Sequence, residues 1–131
     1  MHLKDLKQLN ILETIDVIMA TYNGAKYIKP QILSILAQTH TDWRLLIHDD
    51  GSIDETITTI KELQKLHIRI VLIEDDQKFG NAGANFLHTL KFATAPYIMF
   101  CDQDDIWFES KIELHLNKIK DQKIPYAVYS N

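Results

Sequence analysis

The length, composition and charge of this chain predict one soluble globular domain. It has 131 residues, of which 46% are hydrophobic and 24% are charged, enough for one hydrophobic core. The formal net charge of -4 argues against a nucleic-acid partner, because nucleic-acid-binding faces need clustered Lys and Arg.

Cysteine content and the lack of targeting segments predict a cytoplasmic location. Cys101, the single cysteine, has no partner for an internal disulfide, so a reducing compartment is the simplest setting. The N-terminal segment, Met1 to Asn10, is polar and lacks the apolar core of a secretory signal. No run of about 18 apolar residues occurs. We expect a cytoplasmic protein, either free or at the inner face of the membrane.

Strands and helices alternate along the predicted domain. The predicted strands are Ile15–Ala20, Trp43–His48, Ile68–Ile73, Tyr97–Cys101 and a fifth that begins at Tyr126–Tyr129. The first helix begins near Pro30, and Ser52 with Glu55 predicts a capping box that opens the second. Apolar residues at helical spacing predict the inward faces: Ile28, Ile32, Ile35 and Leu36, then Ile57, Ile60, Leu63 and Leu66, then Phe86, Leu87 and Leu90, then Ile112, Leu116 and Ile119.

This alternation predicts an α/β fold with three layers. We expect a mostly parallel, Rossmann-like sheet with helices on both faces. The domain is predicted to cover residues 15–131, with residues 1–14 as an N-terminal extension. In such sheets the ligand lies beyond the carboxyl ends of the strands, where the strand order reverses.

Polar and acidic residues collect at that predicted edge. They follow the first four strands as Thr21-Tyr22-Asn23, His48-Asp49-Asp50, Glu74-Asp75-Asp76 and Asp102-Gln103-Asp104-Asp105. The last group is either a metal–diphosphate site or an acidic, solvated turn. In an extended stretch, Asp102 and Asp104 would project to the same side. Their carboxylate oxygens suit Mg²⁺ or Mn²⁺, whose shell substrate phosphates can complete.

The other edge segments each permit two interpretations. Thr21 and Asn23 either contact a nucleoside or simply form a turn. Of Asp49 and Asp50, one can accept a hydrogen bond from a nucleobase N–H while the other caps the turn, or both can serve only local structure. The glycines of Gly80–Asn85 permit close approach of a ligand to the backbone, although the segment matches no known phosphate loop.

The histidines give no metal-site signal in the sequence. The chain has 6 histidines, none at the spacing typical of metal ligands, and we interpret His48 as a strand residue with satisfied hydrogen bonds.

The chain carries four motifs in a fixed order: Ile18–Gly24, Asp49–Thr56, Gly80–Phe86 and Phe100–Trp107. Together they resemble glycosyltransferase family 2. The similarity covers nearly the whole chain from Ile15 onward. Within the family, the Cys-Asp-Gln-Asp-Asp-Ile-Trp form looks most like bacterial polysaccharide-building members, including rhamnosyltransferases.

The resemblance implies a GT-A fold and the transfer, with inversion, of a sugar from a nucleoside-diphosphate sugar to an acceptor hydroxyl. The donor would be a UDP- or dTDP-sugar, the acceptor a glycan or lipid-linked molecule, and the cofactor Mn²⁺ or Mg²⁺. Asp102 and Asp104 would hold the metal, and Asp105 would ligate through water or cap the next helix. The implied nucleotide-sugar site comprises Thr21, Tyr22, Asn23, Asp49, Asp50, Gly80, Asn81, Asp102 and Gln103.

The chain departs from the family pattern at its C-terminus. Family members continue past the position of Asn131, and their general base lies downstream of the acidic motif, so no catalytic residue is assigned here. We expect a donor-binding half that is inactive by itself. The edge of the fifth strand would be exposed and could support a homodimer.

Two alternatives to this enzymatic function remain from the sequence. The first is a nucleotide-binding module without catalysis. The second is a receiver-type Mg²⁺-binding regulatory domain, although that class needs an acidic pair after the first strand, where this chain has Thr21-Tyr22-Asn23.

Overall fold

The computed structural model describes residues 13–120, and strands alternate with helices throughout this range. The elements are β1 (Ile15–Thr21), α1 (Ile28–Leu36), β2 (Trp43–Asp49), α2 (Thr56–Leu66), β3 (Ile70–Ile73), α3 (Ala82–Leu90), β4 (Tyr97–Asp102) and α4 (Lys111–Ile119). β3 begins at Ile70 rather than at Ile68, which is exposed. The predicted fifth strand, with its exposed edge, lies outside the described residues, as does most of the predicted N-terminal extension.

The strands form one parallel sheet in the order β3-β2-β1-β4, which confirms the predicted α/β class. The chain runs from β1 to β2 and β3 on one side, then returns to place β4 on the other side of β1. The strand order therefore reverses beside β1. In the register, Thr21 lies beside Asp49 and Ala20 beside Asp102, so the carboxyl ends of these strands meet.

Helices cover both faces of the sheet, as predicted. On one face, Val17 and Met19 of β1 belong to an apolar core that includes Ile32 of α1, Ile60 of α2 and Ile112 of α4. On the other face, α3 packs against β1 and β2. Within the described residues, no helix is long and apolar enough to cross a membrane.

The predicted inward face of α3 is wrong in part. Leu87 is 66% exposed, whereas Asn85 and Thr89 are the buried residues of this helix. The Asn85 amide donates from Nδ2 to the backbone oxygen of His48, and Thr89 Oγ1 donates to the backbone oxygen of Asn85. These hydrogen bonds offset the cost of burying polar groups, so α3 presents a polar strip to the sheet.

Most of the other predicted inward residues are buried in the apolar core, but Leu66 is an exception. As the last residue of α2, its side chain is 76% exposed. Five others are only half-buried: Leu36, Ile57, Phe86, Leu90 and Ile119.

The predicted capping box is also wrong. Helix α2 begins at Thr56, and the preceding Glu55 makes no side-chain cap. The Asp54 carboxylate accepts from the backbone N–H of Thr56 instead. Ser52 Oγ donates to Asp49 Oδ1 at 2.6 Å. This hydroxyl therefore binds the last residue of β2 and does not cap the helix.

A buried carboxylate fixes the amino end of the sheet. Asp16 of β1 is 1% exposed, and its two oxygens lie 3.0 and 3.1 Å from Nε and Nη2 of Arg44 on β2. The backbone N–H groups of Thr94 and Ala95 donate to Asp16 Oδ2 at 2.7 and 2.9 Å. Burial acts to raise the pKa of Asp16, but the hydrogen bonds from Arg44, Ala95 and Thr94, together with the Arg44 charge, hold this pKa below its usual range.

We expect Asp16→Asn to lower the free energy of unfolding at neutral pH by about 2–3 kcal/mol, because it removes a charged hydrogen-bond acceptor. The folded-state pKa is depressed, so the carboxylate's contribution is complete above the unfolded pKa of about 3.9 and is lost as the pH falls through the folded value. Urea unfolding at about pH 7 and about pH 3 should therefore show the difference shrinking in acid.

The control is Asp76→Asn, which changes an exposed loop acid. A stability difference between Asp16→Asn and the wild type that is the same at both pH values would contradict the assigned role of the charge.

Candidate active site

An open cavity of about 620 Å³ lies at the carboxyl edge of the sheet. It is lined by the segments that follow all four described strands, and the loop after β3 contributes Lys78 and Gly80. The predicted site residues that line it are Thr21, Tyr22, Asp50, Gly80, Asn81, Asp102, Gln103 and Asp104. Asn23 and Asp49 are not in the lining.

Asp49 uses its carboxylate within the protein. Oδ1 accepts from Thr21 Oγ1 at 2.7 Å and from Ser52 Oγ at 2.6 Å. Oδ2 accepts from the backbone N–H groups of Gly51 at 3.0 Å and Ser52 at 2.7 Å. An ionised carboxylate offers about four lone-pair sites, and these four hydrogen bonds occupy them within the protein. Asp49 therefore positions the ends of β1 and β2.

Asn23 joins the first loop to the second. Its φ of 45° lies in the left-handed region, which Asn tolerates better than most residues. Its side-chain Oδ1 accepts from the backbone N–H of Ile53 at 2.9 Å, and its own N–H donates to Ser52 Oγ at 2.7 Å. The geometry fits the turn-forming interpretation of Asn23.

Asp50 joins the second loop to the third. Its two carboxylate oxygens accept from the backbone N–H groups of Phe79 at 2.6 Å and Gly80 at 2.9 Å. Gly80 has a φ of 74°, a conformation that side chains rarely adopt, so this position favours glycine. Asp50 also lines the cavity, and it holds the third loop against that cavity.

Gln103 joins the fourth loop to the first. Its Oε1 accepts from the backbone N–H of Tyr22 at 3.0 Å, and its Nε2 donates to the backbone oxygen of Tyr22 at 3.0 Å. The amide passes close to Gly24, where an added Cβ would lie 2.3 Å from Oε1. Gln103 thus fixes the backbone of the first loop while part of it faces the cavity.

Asp102 and Asp104 both reach the cavity, although not by the predicted extended geometry. The strand ends at Asp102 and the chain turns at Gln103. Both carboxylates are exposed, and neither has an ion-pair partner within residues 13–120. Such hard oxygen donors, open to the cavity, fit Mg²⁺ or Mn²⁺. Asp105 differs, because its Oδ2 lies 4.0 Å from Lys111 Nζ.

Cys101, which precedes these acids, is not a nucleophile. It is buried, and burial raises the pKa of its thiol to about 12. Gln31 Nε2 donates to its sulfur at 2.8 Å. Cys101 is therefore a small residue of the apolar core.

Three larger residues that line the cavity were not among the predicted site residues: Lys78, Asn85 and Phe86, alongside the small residues Ala20, Gly51 and Ala82. Lys78 adds a cation to a wall otherwise rich in acids. The available signal was a single basic residue in a loop at the ligand-bearing edge, but the loop's hydrogen bonds to Asp50 could not be foreseen. Phe86 packs edge-on against Phe100 of β4, with ring centroids 5.6 Å apart.

We expect Gln103→Glu to destabilise the fold by about 1–2 kcal/mol, because its carboxylate cannot donate to the backbone oxygen of Tyr22 and would face that oxygen unpaired. Thermal and urea unfolding at neutral pH measure the change. Asn117→Asp, which adds the same charge at an exposed position on α4, is the matched control. Equal stability of the two variants would contradict the bridging role of Gln103.

Several named proteins are similar to this chain in sequence. A dTDP-rhamnosyl transferase, RfbG, from Shigella flexneri is 40% identical over 99 residues, which cover 72% of this chain and 34% of the relative. The Escherichia coli UDP-Glc:alpha-D-GlcNAc-diphosphoundecaprenol beta-1,3-glucosyltransferase WfgD is 36% identical over 117 residues, which cover 89% of this chain and 45% of the relative. The chain therefore spans less than half the length of these relatives.

Solved structures with the same fold include a mannosyltransferase and a protein crystallised with UDP-GlcNAc. S. aureus TarS 1-349, crystallised with UDP-GlcNAc, superposes with a TM-score of 0.71 at 21% identity. The superposition covers 86% of this chain and 37% of the TarS chain. The mannosyltransferase PcManGT from Pyrobaculum calidifontis, in complex with GDP-Man and Mn²⁺, gives a TM-score of 0.65 at 23% identity. The superposition covers 71% of this chain and 28% of the PcManGT chain. These likenesses confirm a GT-A-type fold.

Residues 16–130 match the family described as Glycosyl transferase family 2. This match spans nearly the whole chain and agrees with the named relatives. The chain belongs to glycosyltransferase family 2.

Proposed function

We propose that this chain binds a nucleoside-diphosphate sugar with a divalent cation and serves sugar transfer, with inversion, in bacterial cell-surface polysaccharide synthesis. The observation that carries the proposal is the cavity at the strand-order reversal. There, the carboxylates of Asp102 and Asp104 and the cation of Lys78 line one space. Because the chain spans less than half of its named relatives, the activity of a whole protein is part of the proposal.

The diphosphate would lie near the acidic turn. We assign Asp102 and Asp104 as ligands of Mn²⁺ or Mg²⁺, since both carboxylates are exposed at the cavity. A bound cation would neutralise the charge that develops on the nucleoside diphosphate as the sugar leaves. Lys78 supplies a second positive charge from the loop after β3, where it can hold a phosphate oxygen.

The nucleoside would lie against the first and third loops. Tyr22, which is 57% exposed, Asp50, Gly80 and Asn81 line this part of the cavity. Thr21 lines it too, but its hydroxyl donates to Asp49, so we assign Thr21 a positioning role. The names of RfbG and WfgD favour a dTDP- or UDP-sugar as the donor.

The acceptor would be a glycan or a lipid-linked molecule. The name of WfgD, which includes a diphosphoundecaprenol-linked sugar, supports this class. In the proposed reaction, the acceptor hydroxyl attacks the anomeric carbon while the bond to the diphosphate breaks, which inverts the configuration. We assign no general base to the described residues.

A nucleotide-binding module without catalysis is the second candidate. It is favoured by the same cavity, whose lining residues supply donor contacts but no assigned base. The receiver-type alternative is removed by the family membership.

We expect Asp104→Ala to abolish the part of nucleoside-diphosphate binding that depends on the metal, a loss of about 1–3 kcal/mol. Calorimetric titration of UDP, dTDP and GDP, each with and without Mn²⁺, measures this part directly. Asp76→Ala, which removes an exposed acid outside the cavity, is the control. Binding that is absent, or equal with and without Mn²⁺ in the unsubstituted chain, would refute the proposed donor site.

We expect Lys78→Gln to weaken UDP binding about tenfold, because a cation near the phosphates is lost. Uridine, which has no diphosphate, should bind both forms equally if Lys78 contacts a phosphate. Lys65→Gln neutralises an exposed lysine on α2 and serves as the control. A matched loss for uridine and UDP would instead place Lys78 beside the nucleoside.

A further inference from the structure

Three metal-ligating side chains meet outside the lining of the cavity. His48 Nε2 and His88 Nε2 each lie 2.7 Å from a different carboxylate oxygen of Asp75. Their ligand atoms lie within 4.8 Å of one another. We propose that His48, Asp75 and His88 form a transition-metal site, separate from the acidic turn, that binds Zn²⁺.

The ring of His48 is oriented as a metal ligand requires. Asn85 Nδ2 donates to the backbone oxygen of His48 at 2.9 Å, which turns the amide Oδ1 toward His48 Nδ1 at 2.6 Å. Nδ1 is therefore the hydrogen-bond donor, and Nε2 faces Asp75. Ligating histidines usually donate their other ring N–H to a fixed oxygen in this way. Asn85 thus supplies the outer contact that sets the tautomer of His48.

The other two ligands give an ion access from solvent. The side chains of His88 and Asp75 are 15% and 26% exposed, whereas that of His48 is 1% exposed. The ring of Phe79 covers part of the cluster, with its centroid 4.9 Å from His88 and 5.8 Å from His48. The cluster is thus shielded by one aromatic ring and remains open through Asp75.

The donor set selects the class of ion. Imidazole nitrogens suit Zn²⁺ and similar transition metals, whereas Mg²⁺ prefers oxygen donors alone. Two histidines and one carboxylate leave one position of a tetrahedral zinc site for water. A bound Zn²⁺ would replace the contacts between Asp75 and the two Nε2 atoms, because an imidazole nitrogen that ligates a metal carries no proton.

The proposed site is connected to the wall of the cavity through one loop. Asp75 lies near the start of the loop after β3, and the same loop continues to Lys78. The next two residues, Phe79 and Gly80, donate their backbone N–H groups to the Asp50 carboxylate. An ion at the triad would fix the start of the loop while Asp50 fixes its end. The site does not rest on the proposed donor function, and its predicted effect is a more rigid cavity wall.

Zinc binding to the tag-free, chelator-treated chain tests the proposal. We expect calorimetry to show a single Zn²⁺ per chain, and Co²⁺ to give the visible absorption bands of a low-coordinate site. His88→Ala should weaken Zn²⁺ binding by at least about tenfold. His67→Ala, which removes a histidine outside the triad, and Asp104→Ala, which removes a predicted ligand of the acidic turn, should leave this binding unchanged.

Asp75→Asn is the second variant, since it keeps the side-chain shape but removes the charge, and circular dichroism confirms folding of each variant. The proposal is overturned if the wild-type chain does not bind Zn²⁺, or if folded His88→Ala and Asp75→Asn both bind it as the wild type does. It is also overturned if Asp104→Ala, rather than His88→Ala, removes the binding. None of these outcomes bears on UDP binding, so they are distinguishable from failure of the donor site.

Discussion

The carboxyl edge of the sheet depends on side chains that satisfy the backbone N–H groups of neighbouring loops. Asp49 accepts from the turn that follows its own strand, Asp50 from the third loop, and Gln103 from the first. Loop N–H groups left without partners would cost free energy, so these three residues decide which loop conformations are stable. The cavity keeps its shape because these hydrogen bonds connect the loops at the carboxyl edge of the sheet to one another.

The amino edge of the sheet is stabilised by an ion pair between the buried Asp16 and Arg44. Asp16 lies in a strand whose residues are all buried, and its charge is tolerated because Arg44 and two backbone N–H groups surround it. Removing one partner of a buried ion pair destabilises a fold strongly, because the other charge is left buried and unpaired. Replacing both partners by apolar residues often costs little or no stability. The apolar layers between the two edges therefore supply most of the burial, while polar contacts at each edge set the register and the loops.

The sequence was sufficient to predict the four described strands, because buried parallel strands appear as continuous apolar runs between turn residues. It was insufficient for α3, where helical spacing favours Leu87 as an inward residue but the sheet presents the backbone oxygen of His48 to Asn85. Hydrophobicity does not reveal which polar group will find a partner. The role of Asp49 was hidden for a similar reason, since a carboxylate at a strand end can face a ligand or its own turn.

The histidine cluster was hidden by distance along the chain. His48 and Asp75 are separated by 27 positions, and Asp75 and His88 by 13, so no short motif connects them. Only the parallel order of β2 and β3, together with the placement of α3, brings them into contact. The acidic turn was visible because its residues are consecutive.

The contact between Gln103 and Tyr22 has an evolutionary consequence. The amide holds the main chain of Tyr22 and leaves the phenol ring in solvent and at the cavity. Most amino acids could occupy that position without losing either hydrogen bond, because neither involves the side chain. Position 22 can therefore diversify as the shape of the bound molecule changes, while the loop that carries it keeps its conformation.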